Sequence, residues 1–341
     1  MWSSYRRIRP PDVSEKKGGR KQASFANPQL VEQLKEVVEG HTAGSPIEPG
    51  RLWTNRSPRE IAEELCERGS PISANTVGRV LREELGLSHR ALAKTLPTGA
   101  SVDREPQFAR MLELRAEFLA KGWPVLSIDT KKKELLGDFY RPGRAWSETP
   151  GRALDHDFTS LATGKVVPYG VYDLAQQEAL VMLAKGADTG ELAAAAVRRW
   201  WHRLGKGRYR RRDPILLLAD CGGSNGYRVP LFRERLSWLA KELELTFRVC
   251  HIPPYCSKHN PIDHRLFCHL TRSLRGLLLK SVEVIRDAFA RTTTSTGLRV
   301  VVELARHVYQ PKIKPHPDFT QHEPTRRDQL LSAYNYVIAP T

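Results

Sequence analysis

Three aspartates stand where their type and spacing could do chemistry. Two short apolar runs, VLSID (125–129) and ILLLAD (215–220), each end in an acid, Asp129 and Asp220, and a third acid, Asp263, lies within NPIDHRLF (260–267). If the two runs are parallel neighbours, their C-terminal ends converge on one crevice. Two carboxylates held close together repel unless one is protonated or a cation bridges them. A donor set made only of oxygen suits Mg2+ or Mn2+. Plain structural work would also place acids here. A strand-end aspartate can fold the turn after it. Asp263 would be the third residue of a helix with Asn260 as N-cap and Pro261 at the first position, where an acid gains about 0.3–1 kcal/mol from the helix N-terminus. Residue pattern alone leaves both readings open.

Positioning such acids takes a sheet. WPVLSIDTKKKELLGDFY (123–140) predicts a buried strand, a basic turn and a second strand, and KVVPYGVYDL (165–174) predicts another. An amphipathic helix is expected over 188–207, with Trp200 and Trp201 as core residues. A strand covered on both faces follows over 214–220, then a helix (229–243), a strand (245–254) and a helix (260–276). This succession describes an α/β layer structure with a mixed sheet flanked by helices. The helical spacing of 101–122 reads as a linker helix, and no internal repeat is visible.

Ahead of the sheet the pattern is all-α. Residues 1–25 carry seven Lys or Arg against two acids, a composition that cannot fold alone. With the short helix expected over 28–39, they form a basic N-terminal arm and helix spanning 1–50. In 51–100, Ser57 reads as an N-cap, Pro58 as the first helical residue and Glu60 as the partner in a capping box. Ile61, Ala62 and Leu65 make the inner face of that helix. Gly69 permits a tight stop, and Ser73 caps a second helix with Val77, Val80, Leu81 and Leu85 inside. Two short helices joined by a tight turn fit a helix-turn-helix, whose second helix would present Asn75, Thr76, Arg79 and Arg82 to base edges. A plain helical hairpin shares the same apolar spacing.

The charge balance bears on the choice. Fifty-four Lys plus Arg against 38 Asp plus Glu give a net charge of +16 and a pI near 9.8, which points to a polyanionic partner, with double-stranded DNA foremost. Lys131, Lys132 and Lys133 and the run RRWWHRLGKGRYRRR (198–212) are candidate phosphate contacts or solvated charge. CGGSNG after Asp220 could let backbone N–H groups of Gly222, Gly223, Ser224, Asn225 and Gly226 approach a phosphate, or be a tight turn. It lacks the Lys-Ser/Thr of a P-loop, and no dinucleotide fingerprint follows a strand, so no nucleotide cofactor is expected. Five cysteines without framework spacing argue for a reducing compartment. The Cys and His residues of 250–269 (Cys250, His251, Cys256, His259, His264, Cys268, His269) lack the close pairing of structural zinc ligands. No run is long and apolar enough for a membrane span and the N-terminus has no signal core. The expected location is the bacterial cytoplasm, associated with the nucleoid.

Read together, the blocks SIDTKKKELLGDF, RPGRAW, DHDF, VPYGVYDLA, VRRWW, LLLADCGGSNGYR, CHIPPYCSKHNPIDHRLF and TTTSTGL resemble the ISAzo family of bacterial insertion-sequence transposases, within the wider class of DDE transposases. The resemblance spans roughly residues 20 to 310. It implies a ribonuclease-H-like catalytic domain, here 123–314, followed by a C-terminal tail over 315–341. It also implies three metal-binding acids on the first strand, the fourth strand and a late helix, which by motif are Asp129, Asp220 and Asp263. The family's third acid is Glu, one methylene longer than Asp263. Cys221 and His259 replace a usual Gly and Trp. The implied cofactor is Mg2+ or Mn2+, two ions holding the attacking and leaving oxygens of a phosphodiester. The implied partners are element ends and target DNA, bound by a homo-oligomer. Two other readings compete with cleavage and strand transfer. A helix-turn-helix regulator would bind DNA without cutting it, and a nuclease of the same core would cut without joining.

Overall fold

The computed structural model describes residues 29–40, 54–89, 102–149 and 151–340. The basic stretch 1–25 lies outside them. The chain divides into two compact units, Met1–Thr95 and Leu96–Thr341.

In the first unit three helices, α1 (Leu30–Gly40), α2 (Pro58–Glu67) and α3 (Ala74–Glu83), close on one another. The capping box at Ser57 forms in both directions. The Ser57 hydroxyl accepts from the Glu60 N–H at 3.3 Å, and the Glu60 carboxylate accepts from the Ser57 N–H at 2.6 Å. Gly69 at φ +83° ends the first turn region, and the Ser73 hydroxyl accepts from the Thr76 N–H at 3.2 Å to start α3. Leu34, Val37, Ile61, Leu65, Val77 and Val80 are fully or almost fully buried between the three helices. The contribution of α1 to this core is not apparent from the two-helix pattern.

The second unit is a mixed sheet of nine strands. Its centre is built from β1 (Val125–Thr130), β3 (Gly164–Asp173), β4 (Glu178–Gly186), β5 (Ile215–Ala219) and β6 (Phe247–His251). β3 pairs antiparallel with β1 and is joined in a hairpin to β4, whereas β5 and β6 run parallel to β1 on its other side. This gives the order β4-β3-β1-β5-β6, with the short β2 (Glu134–Leu136) paired to β3. The buried runs of these strands are continuous because both faces are covered. On one face α5 (Gly190–Trp200) and α6 (Pro230–Leu243) pack Trp200, Trp201 and Leu236 against Leu126, Ile128 and Leu217. On the other, the helical segment from 261 to 273, which ends in α7 (Cys268–Ser273), and α8 (Val282–Ala290) cover Tyr172 and Val181. β7 (Arg299–Tyr309) extends the sheet in parallel beside β4. No described helix is long and apolar enough to cross a membrane.

The linker helix forms as α4 (Arg104–Ala120), and it also packs on the sheet. Its residues Met111, Leu114 and Phe118 cover Val125, Leu216 and Leu218 of the sheet. The tail expected over 315–341 belongs to the sheet. After α9 (Pro317–Gln321) come β8 (Thr325–Arg327) and β9 (Asn335–Ile338), and β9 pairs antiparallel with β6. Polar groups tie both elements to the sheet. Gln107 of α4 donates to the His251 carbonyl at 2.7 Å and accepts from Asn335 at 2.6 Å, while Arg248 pairs with Asp328. Such partners are distant in sequence, so no local pattern announces them. Replacing Gln107 with Leu leaves the buried Asn335 amide short of a partner and should destabilise the protein by about 1–3 kcal/mol. A chemical-denaturation midpoint unchanged in Gln107→Leu would show that α4 and β9 do not fold with the sheet.

Candidate active site

Parallel pairing puts Ile128 beside Ala219, so Asp129 and Asp220 leave the sheet next to each other. On its other side Asp129 faces Gly170 of β3. A Cβ at Gly170 would lie 2.7 Å from the Phe267 ring and 2.9 Å from Ile262. The missing side chain therefore lets the segment carrying Asp263 settle onto β1 and β3. That segment opens at Pro261, and its Asp263–Phe267 portion winds as a π-helical turn leading into α7, a form frequent at functional sites.

A buried polar chain locks the three pieces together. Ser127 of β1 donates to Asn260 Oδ1 at 2.5 Å, Asn260 Nδ2 donates to Asp220 Oδ1 at 3.0 Å, and the Ile262 N–H donates to Ser127 Oγ at 3.2 Å. Asn260 precedes the helix as expected. Its side chain, however, holds Asp220 rather than capping, and Ser127 takes one of the helix's orphan N–H groups. Behind Asp220, the buried His251 ring bonds the Asp220 carbonyl through Nδ1 at 3.0 Å and the Tyr336 hydroxyl through Nε2 at 3.0 Å. The carbonyl can only accept, so Nδ1 carries the proton. Burial pushes the His251 pKa down to about 4, which keeps the ring neutral.

The carboxylates feel one another. Burial pushes Asp129 up to about 8, and the charge of Asp220 is the next cause; Asp263 and Asp188 add to it. Burial and Asp263 raise Asp220 to about 6, while the Asn260 amide opposes the rise. Asp263 is half-buried and raised by burial. A cavity of about 500 Å³ is lined by Asp129, Asp188, Asp220, Gly222 and Gly223. Asp263 lines a neighbouring cavity of about 580 Å³, and residues 130–133 wall both. Among the described residues no three His, Cys, Asp or Glu side chains stand as a ready ligand set; a cation would have to draw these neighbours together. The chemistry fits one, because the donors are oxygens whose mutual repulsion a divalent ion relieves.

Other candidates divide. Lys132 and Lys133 are exposed on the cavity wall, but Lys131 is buried and ion-paired to Glu134, so its ammonium is no open phosphate contact. Arg141 pairs with the same carboxylate at 2.8 Å. In the glycine-rich loop Gly222 and Gly223 face the cavity, whereas Ser224, Asn225 and Gly226 turn inward. Asn225 Nδ2 donates to the Ile128 carbonyl at 3.2 Å, and a Cβ on Gly226 would meet the Cys221 carbonyl oxygen at 2.5 Å. In the other unit Asn75 and Arg82 are exposed, Arg79 is half-buried, and the Thr76 hydroxyl lies 2.9 Å from that of Ser73. Strand alternation sends Cys250 toward Gln107 and His251 toward Asp220. Asp188 went unrecognised in the sequence because an acid one residue before the cap Thr189 reads as an ordinary helix start.

The raised Asp129 pKa sets a sign for stability. The folded protein holds this proton more tightly than the unfolded chain, so stability falls as pH rises from about 4 to about 8. In chelator, denaturation midpoints should drop more between pH 5 and pH 8 in the wild type than in Asp129→Asn. Equal drops in the two proteins would mean Asp129 does not carry the effect.

Similar solved structures include the Mos1 transposase paired-end complex with left transposon end, at 17% identity and TM-score 0.42, covering 81% of this chain and 73% of that one. The pre-cleavage Mos1 transpososome is similar at 16% identity and TM-score 0.42, with the same coverages of 81% and 73%. The Mos1 mariner paired end complex with Mn shows 16% identity, TM-score 0.41 and coverages of 81% and 73%. A search of curated proteins finds no match. The family model described as Rhodopirellula transposase DDE domain matches residues 33–340, nearly the whole chain, and the protein belongs to that family of DDE-domain transposases.

Proposed function

We propose that this transposase binds the ends of an insertion sequence and uses Asp129, Asp220 and Asp263 for cleavage and strand transfer of double-stranded DNA. The observation that carries the reading is the convergence of the first two acids on a crevice walled by the same residues as the cavity of the third. Mg2+ or Mn2+, as two ions held by these acids, would supply charge stabilisation to the attacking and leaving oxygens of an in-line displacement. The chain's own part is positioning. Asn260 fixes the rotation of the Asp220 carboxylate, and Gly170 lets the Asp263 segment approach Asp129. Lys132 and Lys133 supply positive charge on the crevice wall for the DNA backbone. Gly222 and Gly223 leave that wall without side chains where a phosphate could come close.

Two chemical steps share this crevice. A water molecule attacks the phosphodiester at the element end, and the freed 3′-hydroxyl then attacks the target. Residues 51–100 serve as the end-reading domain, with Asn75 and Arg82 exposed on α3 and Thr76 and Arg79 nearer its core. Joining two ends to one target calls for a homo-oligomer assembled on DNA.

The test places DNA flanking the gene on a supercoiled plasmid and follows end cleavage and joining in Mg2+ or Mn2+. Asp263→Asn should lower both steps by about 100-fold or more, while Asp263→Glu, which restores the family's residue, should keep them. Equal cutting by wild type and Asp263→Asn would leave Asp263 as a helix-terminal acid only. End binding without cutting by any of the three proteins would favour the regulator.

A further inference from the structure

The crevice holds an acid outside the family's three. Asp188 lies between β4 and α5 and lines the same cavity as Asp129 and Asp220. It does not cap α5, because the Thr189 hydroxyl already accepts from the Leu192 N–H at 3.3 Å. Its Oδ1 instead accepts from Thr130 Oγ1 at 2.8 Å, which ties it to the residue after Asp129. A further carboxylate beside Asp129 and Asp220 is unfavourable unless something positive balances it.

A second observation points to a ligand on this side of β1. Tyr169 is fully buried, and its hydroxyl has no hydrogen-bond partner among the described residues. It lies on β3 directly opposite Thr130 of β1, the residue that reaches Asp188, and its hydroxyl senses the charges of Asp129, Asp188 and Asp220. Leaving such a group unpaired forfeits its hydration without a replacement, so each orphan calls for an explanation. A phenol held neutral is a donor. A buried donor beside carboxylates matches a divalent cation that carries water: the acids take the ion and the hydroxyl takes a water beside it.

We propose that Asp188 is a fourth cation ligand, holding with Asp129 a divalent ion in the cavity that both line, with the Tyr169 hydroxyl donating to a water beside that ion. This rests on the reading that the crevice takes divalent cations. It adds a ligand that the three-acid pattern does not contain. A purely structural Asp188 would act only by holding Thr130.

Titration of the full-length, metal-free protein with Mn2+, following free Mn2+ by electron paramagnetic resonance, separates these roles without any DNA chemistry. The wild type should bind about two ions per chain. Asp188→Asn should lose one of them or bind it about tenfold more weakly. Asp188→Glu should recover it, and Thr130→Val, which keeps the acid and removes its hydrogen bond, should still bind both. Circular dichroism spectra matching the wild type certify the fold of each variant. An Asp188→Asn isotherm equal to the wild type's overturns the proposal; if Asp129→Asn still weakens binding, the three-acid reading survives. Thr130→Val behaving like Asp188→Asn also overturns it, since Asp188 would then act through Thr130. A wild type that binds no Mn2+ overturns both readings.

Discussion

Parallel pairing of β1 with β5 is the constraint that governs the second unit. It sends two aspartates out of adjacent strand ends into a crevice where burial and like charge push Asp129 to about 8 and Asp220 to about 6. Water would solvate such charges on an open surface. Here the apolar faces that drive the sheet to be covered on both sides also deprive the acids of water. The features that make the core stable make the crevice electrostatically strained.

The surrounding structure holds that strain in place. Asn260 spends its amide on Asp220 and its carbonyl oxygen on Ser127, so one side chain joins β1, the end of β5 and the helix carrying Asp263. Neutral His251 anchors the Asp220 backbone from behind without adding charge. Gly170 works by omission, since any side chain there would push against Phe267 and Ile262. These parts come from separate elements and meet only at the strand ends, the usual place for ligands in α/β sheets.

Beyond the central strands the fold depends on contacts between distant parts of the chain. α4 and β9 close one flank through Gln107, Asn335, Arg248 and Asp328, a connected polar group under an apolar cover in which Arg248 Nε alone of these side chains' atoms lacks a partner among the described residues. Buried polar groups of this kind favour one arrangement because every alternative leaves a donor or acceptor unpaired. The same flank keeps His251 and Tyr336 together behind the crevice.

The sequence by itself determined much of the local structure. Capping signals at Ser57 and Ser73 and the apolar spacing of Ile61, Leu65, Val77 and Val80 marked two helices, because caps and helical periodicity act within a few residues. The strand-end positions of Asp129 and Asp220 were likewise legible from short apolar runs. Tertiary structure decided the rest. It made the supposed tail into β8 and β9, turned the linker helix into a flank of the sheet, and tied Lys131 to Glu134. It also brought Asp188 to the cavity that Asp129 and Asp220 line. Each of these depends on residues brought together from distant positions, and such meetings are set by packing and strand order, which no local spacing encodes.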